Sequence, residues 1–368
     1  MRIKPKIVIS SYDDLKNPYY AGGGARAIHS IAKRLIKKYR VVIVTSKYPR
    51  SKDEIIDNVR YKRIGVSWAG PKLGQLVYHL FLVKTVLTEE FDLWAESFTP
   101  PFSTTFLPLF TKKPVVGLVH MLSSEDMIRK YKLPFSIVEN FGLSFYKYFI
   151  VLSRVTRRKI SDSNPKAHFF VIPNGVDLPN QIKVKKSKRV HILFIGRIEI
   201  NQKGLDLLLK SFKLISSKVK KKLVIAGTGT TKEIHELREL VSSLDLTKDV
   251  ELVGRVQGRE WEKVLKAAWV VVIPSRFETF PLVALEALAY QSPVVCFDIE
   301  GLKWLPNTVS LKAKKFNTNQ LAESILKLSS NSAARRRLLK DTSEFIAQHS
   351  WKNVATKYDN AFRSILSS

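Results

Sequence analysis

Short runs of β-branched residues alternate with longer stretches of helical period along the whole chain, and that pattern predicts parallel strands covered by helices on both faces. In the first half the expected strands are Ile7 to Ile9, Val41 to Thr45, Phe91 to Trp94, Val115 to Val119, Phe149 to Leu152 and Phe169 to Ile172. They restart at His191 to Ile195, then Lys222 to Ala226, Val250 to Val253, Val270 to Ile273 and Val294 to Phe297, with helices beginning near Leu205, Lys232, Arg259 and Leu282. The join follows Pro173-Asn174-Gly175-Val176-Asp177, where an X-Pro step and an Asn-Gly turn precede a polar stretch. The expectation is an α/β chain of two Rossmann-like, doubly wound domains, residues 1–177 and 178–350. A ligand belongs in the cleft they would make, at the carboxyl ends of the strands.

Composition narrows the class. A chain of 368 residues, 45% hydrophobic with 16 Gly and 16 Pro, supports sizeable cores and excludes disorder, collagen-like repeats and a coiled-coil rod. One cysteine, Cys296, excludes an internal disulfide framework and a Cys-rich zinc site, and no Asn-x-Ser/Thr sequon occurs; a reducing cytosol is the expected compartment. The formal charge is +30, divided evenly: residues 1 to 177 carry 29 basic and 14 acidic residues, residues 178 to 368 carry 33 and 18. Its clusters are short: Arg154 to Lys159, Lys183 to Arg189, Lys218 to Lys222 and Arg335 to Arg337. Solvated faces explain them most simply, a peripheral contact with an anionic membrane comes next, and nucleic acid last.

Met1 to Ser10 is not read as a signal peptide, because Pro5 interrupts it and its short apolar run is the first strand; the longest apolar stretch, Leu73 to Leu87, contains His79 and Lys84 and is too short to span a bilayer. Leu73 to Leu87 and the aromatic-rich Phe141 to Leu152 are therefore the candidates for peripheral membrane contact, with core packing as the plainer reading of both.

Three constellations carry chemistry. Gly22-Gly23-Gly24 lies beyond the first strand and ahead of a helical stretch, Ala25 to Lys38, so N–H groups at a helix start can face an anion or sugar hydroxyls; a plain flexible turn is the alternative. Next, the strand HILFIG runs into Gly196-Arg197, and Lys203-Gly204 opens the helix Leu205 to Ile215. A cation at each end of that loop, beside a helix N-terminus, forms a diphosphate clamp. Last, in Glu278-Thr279-Phe280-Pro281-Leu282-Val283-Ala284-Leu285-Glu286 two carboxylates lie eight positions apart, one in a loop and one on the apolar face of a helix that Pro281 opens. Glu286 needs donors there, and vicinal ribose hydroxyls suit it as well as an internal protein partner does.

With GGGAR, Val119-His120, IPNGVD at 172–177, FIGRIEINQKGLDLL at 194–208, IAGTG at 225–229, LVGRV at 252–256 and ETFPLVALEAL at 278–288 in this order, the chain resembles retaining GT-B glycosyltransferases of family 4. The resemblance covers nearly the whole length. It implies that residues 351–368, beginning at Ser350-Trp351, cross back as a helix onto the N-terminal domain, leaving acceptor binding to 1–177 and nucleotide-sugar binding to 178–350. It further implies Arg197 and Lys203 on the diphosphate, Glu286 on the ribose, Glu278 near the donor sugar with Thr279, Phe280 and Pro281 around it, and His120 beside the sugar. The Gly22 to Gly24 loop would approach the donor phosphates or the acceptor.

Fixed cations would then stabilise the charge that develops on a departing nucleoside diphosphate. No D-x-D motif is present, so no metal and no cofactor is expected, the nucleotide sugar being a co-substrate. Retention by front-side attack is implied by kinship. The implied reaction moves a hexose from a UDP- or GDP-sugar to a glycan or lipid-linked acceptor, in the cytoplasm or at the cytoplasmic face of the membrane. Two stretches depart from the family pattern: Asp298-Ile299-Glu300-Gly301-Leu302-Lys303-Trp304 has one glycine where paired glycines are common, and no acidic residue directly follows His120. A nucleotide-sugar epimerase and a charge-driven binder of membrane or nucleic acid are the rival readings. A dehydrogenase is disfavoured because the first loop lacks G-x-G-x-x-G.

Overall fold

The computed structural model describes residues 4–19, 22–98, 105–122, 132, 134–179 and 188–368. Ser123 to Asp126, in the segment after His120, and Lys183 to Ser187, in the cluster that runs to Arg189, lie outside the described residues. The chain forms two compact units, Met1–Asn174 with Trp351–Ser368, and Gly175–Ser350.

The first unit holds an eight-stranded sheet of β1 (Lys6–Ser10), β2 (Arg40–Ser46), β3 (Glu54–Ile56), β4 (Val59–Ile64), β5 (Leu93–Ser97), β6 (Val115–Val119), β7 (Tyr148–Val151) and β8 (His168–Val171), ordered β3-β4-β2-β1-β5-β6-β7-β8. Every pairing is parallel except β3 with β4. The central strands are buried on both faces, as covered parallel sheets require. Neighbours of β1 are β2 on one side and β5 on the other, so the chain changes winding direction there, and the loop after β1 stands over the switch point.

The β3–β4 hairpin is not among the expected strands. Asp57 and Asn58 turn it with φ of 50° and 63°, the positive values a two-residue hairpin loop needs. Its strand VRYKRI hides from a search for apolar runs because exposed Arg60 alternates with buried Val59 and Tyr61. Arg63, also in that strand, is buried as an ion, held by the equally buried Asp14 (Nε to Oδ2, 2.9 Å) and by Glu54 (2.8 Å).

The C-terminal helix, Trp351–Leu366, belongs to this first unit. Its Asp359 accepts from Lys38 Nζ and from Tyr39 Oη (2.9 Å), and Phe362 meets the Tyr39 ring edge-on. The segment from Phe141 to Leu152 corrects an expectation: the Phe135–Leu143 helix ends within it, and its remainder becomes the buried interior strand β7. Its exposed residues, Phe141, Ser144 and Lys147, all precede β7.

The second unit holds a six-stranded parallel sheet of β9 (His191–Ile195), β10 (Leu223–Ala226), β11 (Val250–Gly254), β12 (Ala268–Ile273), β13 (Val294–Phe297) and β14 (Ser310–Ala313), ordered β11-β10-β9-β12-β13-β14. Strand β14, with the sequence SLKA, is also outside the expected set; four residues with one lysine carry too little pattern. Here the winding reverses between β9 and β12. The loops leaving those two strands therefore meet over the second switch point.

Candidate active site

Both loops of the second unit carry predicted site residues. After β9 the chain passes Arg197 and makes one short helix, Ile200–Lys203, that Gly204 ends at φ 65° while starting the Leu205–Lys213 helix. A Cβ on Gly204 would stand 2.0 Å from the Pro274 carbonyl oxygen, so only glycine lets this loop press onto the exit of β12. That approach delivers Lys203: its Nζ lies 2.7 Å from Glu278 Oε1, which also accepts from Ser275 Oγ at 2.7 Å. Lys203 and Glu278 side chains are 19% and 10% exposed, so the pair is shielded yet still reached by solvent.

Arg276 clamps the two loops together. Its guanidinium grips both Asp206 oxygens at 2.7 Å and the Asn201 carbonyl at 2.8 Å, while its backbone N–H donates to Gln202 O at 2.9 Å. Burial acts against the Asp206 carboxylate, but the Arg276 hydrogen bonds and charge outweigh it, and the Asp206 pKa lies below its ordinary value.

Beneath the Glu278 loop sits Gly301. A Cβ there would be 1.7 Å from the Glu278 carbonyl oxygen, so the loop rests directly on the glycine backbone. Phe280 stacks on Trp304 with centroids 3.9 Å apart, and Trp304 Nε1 donates to the Gly301 carbonyl at 2.9 Å. The turn from Glu278 to Pro281 is thereby fixed from below before the Leu282–Ala289 helix begins at Pro281, its N-cap. Glu286 lies on that helix between buried Leu285 and Ala287, and its Oε2 is fully buried.

Arg197 takes its partners from its own loop. Its side chain is 62% exposed and engages Glu199 Oε2 (2.6 Å) and Gln202 Oε1 (2.9 Å), both on its own loop. A ligand would have to win this guanidinium from the partly buried Glu199 carboxylate, and because the guanidinium itself is in water that ion pair is a weak competitor.

In the first unit Gly22 is the N-cap of the Gly23–Leu35 helix with extended backbone and no side-chain cap. The carboxylate of Asp13 faces these glycines: a Cβ on Gly24 would lie 3.4 Å from Asp13 Oδ2. Burial pushes the Asp13 pKa up to about 6. His120 follows β6; its Nδ1 is 3.2 Å from Ser97 Oγ at the end of neighbouring β5, and its buried Nε2 has no hydrogen-bond partner among the described residues. Burial lowers the His120 pKa to about 4, so the imidazole is neutral at pH 7.

Sequence reasoning did not single out Ser275, Arg276, Asp206, Asp13 or Trp304 as site residues. An Asp-Asp pair in the same loop as the triple glycine, eight positions before it, was a usable signal for Asp13. Nothing local announces that Arg276 and Asp206, 70 positions apart, form one clamp.

Two α/β units, each with a largely parallel sheet whose winding reverses at a switch point, are the architecture of GT-B glycosyltransferases, enzymes that transfer sugars. Residues 21–179 match the family model described as Glycosyltransferase Family 4 and residues 189–331 the one described as Glycosyl transferases group 1, and the chain belongs to this family. A glycosyltransferase of Methanocaldococcus jannaschii is 27% identical over 348 residues, 90% of this chain and 92% of the relative. D-inositol 3-phosphate glycosyltransferase of Pseudarthrobacter chlorophenolicus is 34% identical over 145 residues, 36% of this chain and 34% of the relative. The fold is that of sucrose-phosphate synthase from Thermosynechococcus elongatus, with a TM-score of 0.80 at 20% identity over 99% of this chain and 100% of the other. Anabaena HepE, in complex with UDP and glucose, gives 0.75 at 16% identity over 99% and 100%.

Proposed function

We propose that this chain is a retaining, metal-independent hexosyltransferase that takes a UDP- or GDP-sugar as donor and a glycan or lipid-linked acceptor. The observation that carries the reading is the Lys203–Glu278 pair at the β9/β12 switch point. An ammonium has three protons and Glu278 uses one, so Lys203 keeps donors for a diphosphate while Glu278 Oε1 holds it in place. Arg197 swings from Glu199 to the same diphosphate, Glu286 takes the ribose hydroxyls, and the backbone from Thr279 to Pro281 lines the sugar. Fixed positive charge at the departing phosphate is worth more in the bond-breaking state than in the bound donor, which is the condition for catalysis.

His120, neutral and with a buried Nε2 that has no partner among the described residues, is suited to hydrogen-bond an uncharged sugar hydroxyl. The Gly22 to Gly24 turn offers backbone N–H groups at a helix start. That HepE is seen with UDP and glucose supports a nucleotide-sugar donor, and the family models support transfer over the epimerase alternative.

A thermal-shift screen of UDP-, GDP- and ADP-sugars tests the reading, because a ligand that binds only the folded chain raises its Tm by mass action. The matching donor should shift the wild type and leave Lys203→Met unshifted, and release of nucleoside diphosphate with acceptor should survive EDTA. A full shift in Lys203→Met refutes the assignment. Sugar inversion of the donor without any acceptor would establish the epimerase instead.

A further inference from the structure

The Gly70–Thr88 helix is apolar on nearly every side, a composition that suits a helix covered all round, yet only half of it is covered. Tyr78, Leu82, Thr85 and Val86 enter the core of the first unit. On the opposite side Leu73, Leu76, Leu80 and Leu87 follow each other at three-, four- and seven-residue spacing, 48%, 48%, 67% and 63% exposed. Exposed Lys72 and Lys84 flank this stripe, and no Asp or Glu occurs from 70 to 88.

The surface continues past the helix. The 3-10 turn Leu107–Phe110 packs against it and exposes Leu109 (57%); Thr111 and exposed Lys112 follow, then Lys113, whose ammonium donates to the Phe91 carbonyl. Phe106, at the start of that turn, meets the ring of Phe141 at 6.1 Å, and Phe141 is itself 61% exposed on the Phe135–Leu143 helix. Trp68, 76% exposed, stands just before the Gly70–Thr88 helix.

We propose that this face is a docking surface for an anionic lipid bilayer, with the Gly70–Thr88 helix lying in the plane of the interface. Leucines on one side and flanking lysines that reach to headgroups are what such a helix needs. No helix among the described residues is long and apolar enough to cross a membrane, so the contact is one of lying on the surface. Charge decides against a second copy as the occupant: a symmetric contact would set Lys72, Lys84, Lys112 and Lys113 of one molecule against the same lysines of the other, in a chain of +30. An anionic surface turns that repulsion into attraction.

The test is co-sedimentation of the full chain with vesicles of phosphatidylcholine, with and without phosphatidylglycerol. Wild type should pellet with the anionic vesicles and far less with neutral ones. Each lysine at an anionic surface is worth about a factor of five, so Lys72→Gln with Lys84→Gln should weaken binding roughly 30-fold. Leu76→Ser with Leu80→Ser should abolish it, both variants keeping the wild-type Tm because all four side chains are exposed. Wild type left in the supernatant, or leucine variants that still pellet, overturns the proposal; so does a wild-type dimer that the leucine changes dissociate. Nucleotide-sugar binding is read separately by thermal shift, so its failure leaves the vesicle result standing.

Discussion

Replacing Gly301 by alanine should disable the enzyme by moving one carbonyl. The new Cβ would lie 1.7 Å from the Glu278 oxygen and 2.4 Å from its carbonyl carbon, backbone atoms with no side-chain torsion to absorb the overlap. Ordinary contact between such atoms begins at about 3.4 Å, so the Glu278 loop must retreat by more than about 1.5 Å. That distance breaks the 2.7 Å bonds from Lys203 and Ser275 to Glu278 and carries Thr279 with it. Overpacking of this kind costs about 1–3 kcal/mol of stability, and a displacement of about 1 Å in a reacting group lowers rate on the order of 100-fold. Steady-state release of nucleoside diphosphate, alongside Tm, reads both. Gly254→Ala is the control: Gly254 has φ 70° but no atom within 4 Å of the added carbon, so it bears about 1–2 kcal/mol of backbone strain away from the Glu278 loop. A Gly301→Ala enzyme with wild-type kcat/KM, or one slowed no more than Gly254→Ala, refutes the reasoning.

Lys203→Met and Glu278→Gln should each destabilise the second unit, and the double variant should recover about 2 kcal/mol of that loss in a denaturation cycle while recovering no activity. Asp206→Asn should lower kcat/KM roughly tenfold with KM for the donor rising most, because the clamp orients the Lys203 loop without touching the reacting atoms; Arg276→Lys should fail to rescue, having no fork to grip two oxygens. Burial raises the pKa of Glu96 to about 7, the bonds from Thr105 and Tyr146 acting against it. A folded pKa raised above the unfolded 4.5 means stability that is complete below 4.5 and lost as pH climbs through 7, by about 3 kcal/mol. The stability of Glu96→Gln relative to wild type, read from urea midpoints at each pH, should therefore grow as pH climbs across that window, and a constant difference would refute the assignment. His120, depressed to about 4, works in the opposite direction over nearly the same window, losing stability as pH drops from 6.5, so the two offset each other in wild type and His120→Asn should expose the fall with rising pH that Glu96 causes.

Strong periodicity made most of the architecture legible. His191 to Ile195, Val115 to Val119 and Val294 to Phe297 stand where their β-branched runs placed them, because a strand buried on both faces has no polar residue to blur its limits. Phe91 to Trp94 was drawn too early: the strand runs Leu93–Ser97 and takes in Glu96, a carboxylate buried in hydrogen bonds that hydropathy reads as an end. The β3–β4 hairpin escaped for a related reason, since Arg63 is a core residue only because Asp14, 49 positions earlier, neutralises it.

The candidate site divides along the same line. Glycine-rich turns, the Arg197 to Lys203 loop and the two glutamates are local patterns, and so is the family they resemble; the sequence by itself determined them because each is written in consecutive residues. Which of them meet was decided by tertiary structure. Lys203 reaches Glu278 across 75 positions because the winding reverses between β9 and β12, and Arg197, equally marked in the sequence, turns to its own Glu199. Gly301 looked like the remnant of a depleted glycine pair; its place under the Glu278 carbonyl is a matter of two backbones in contact, and contact between distant segments is set by packing, not by the residues on either side.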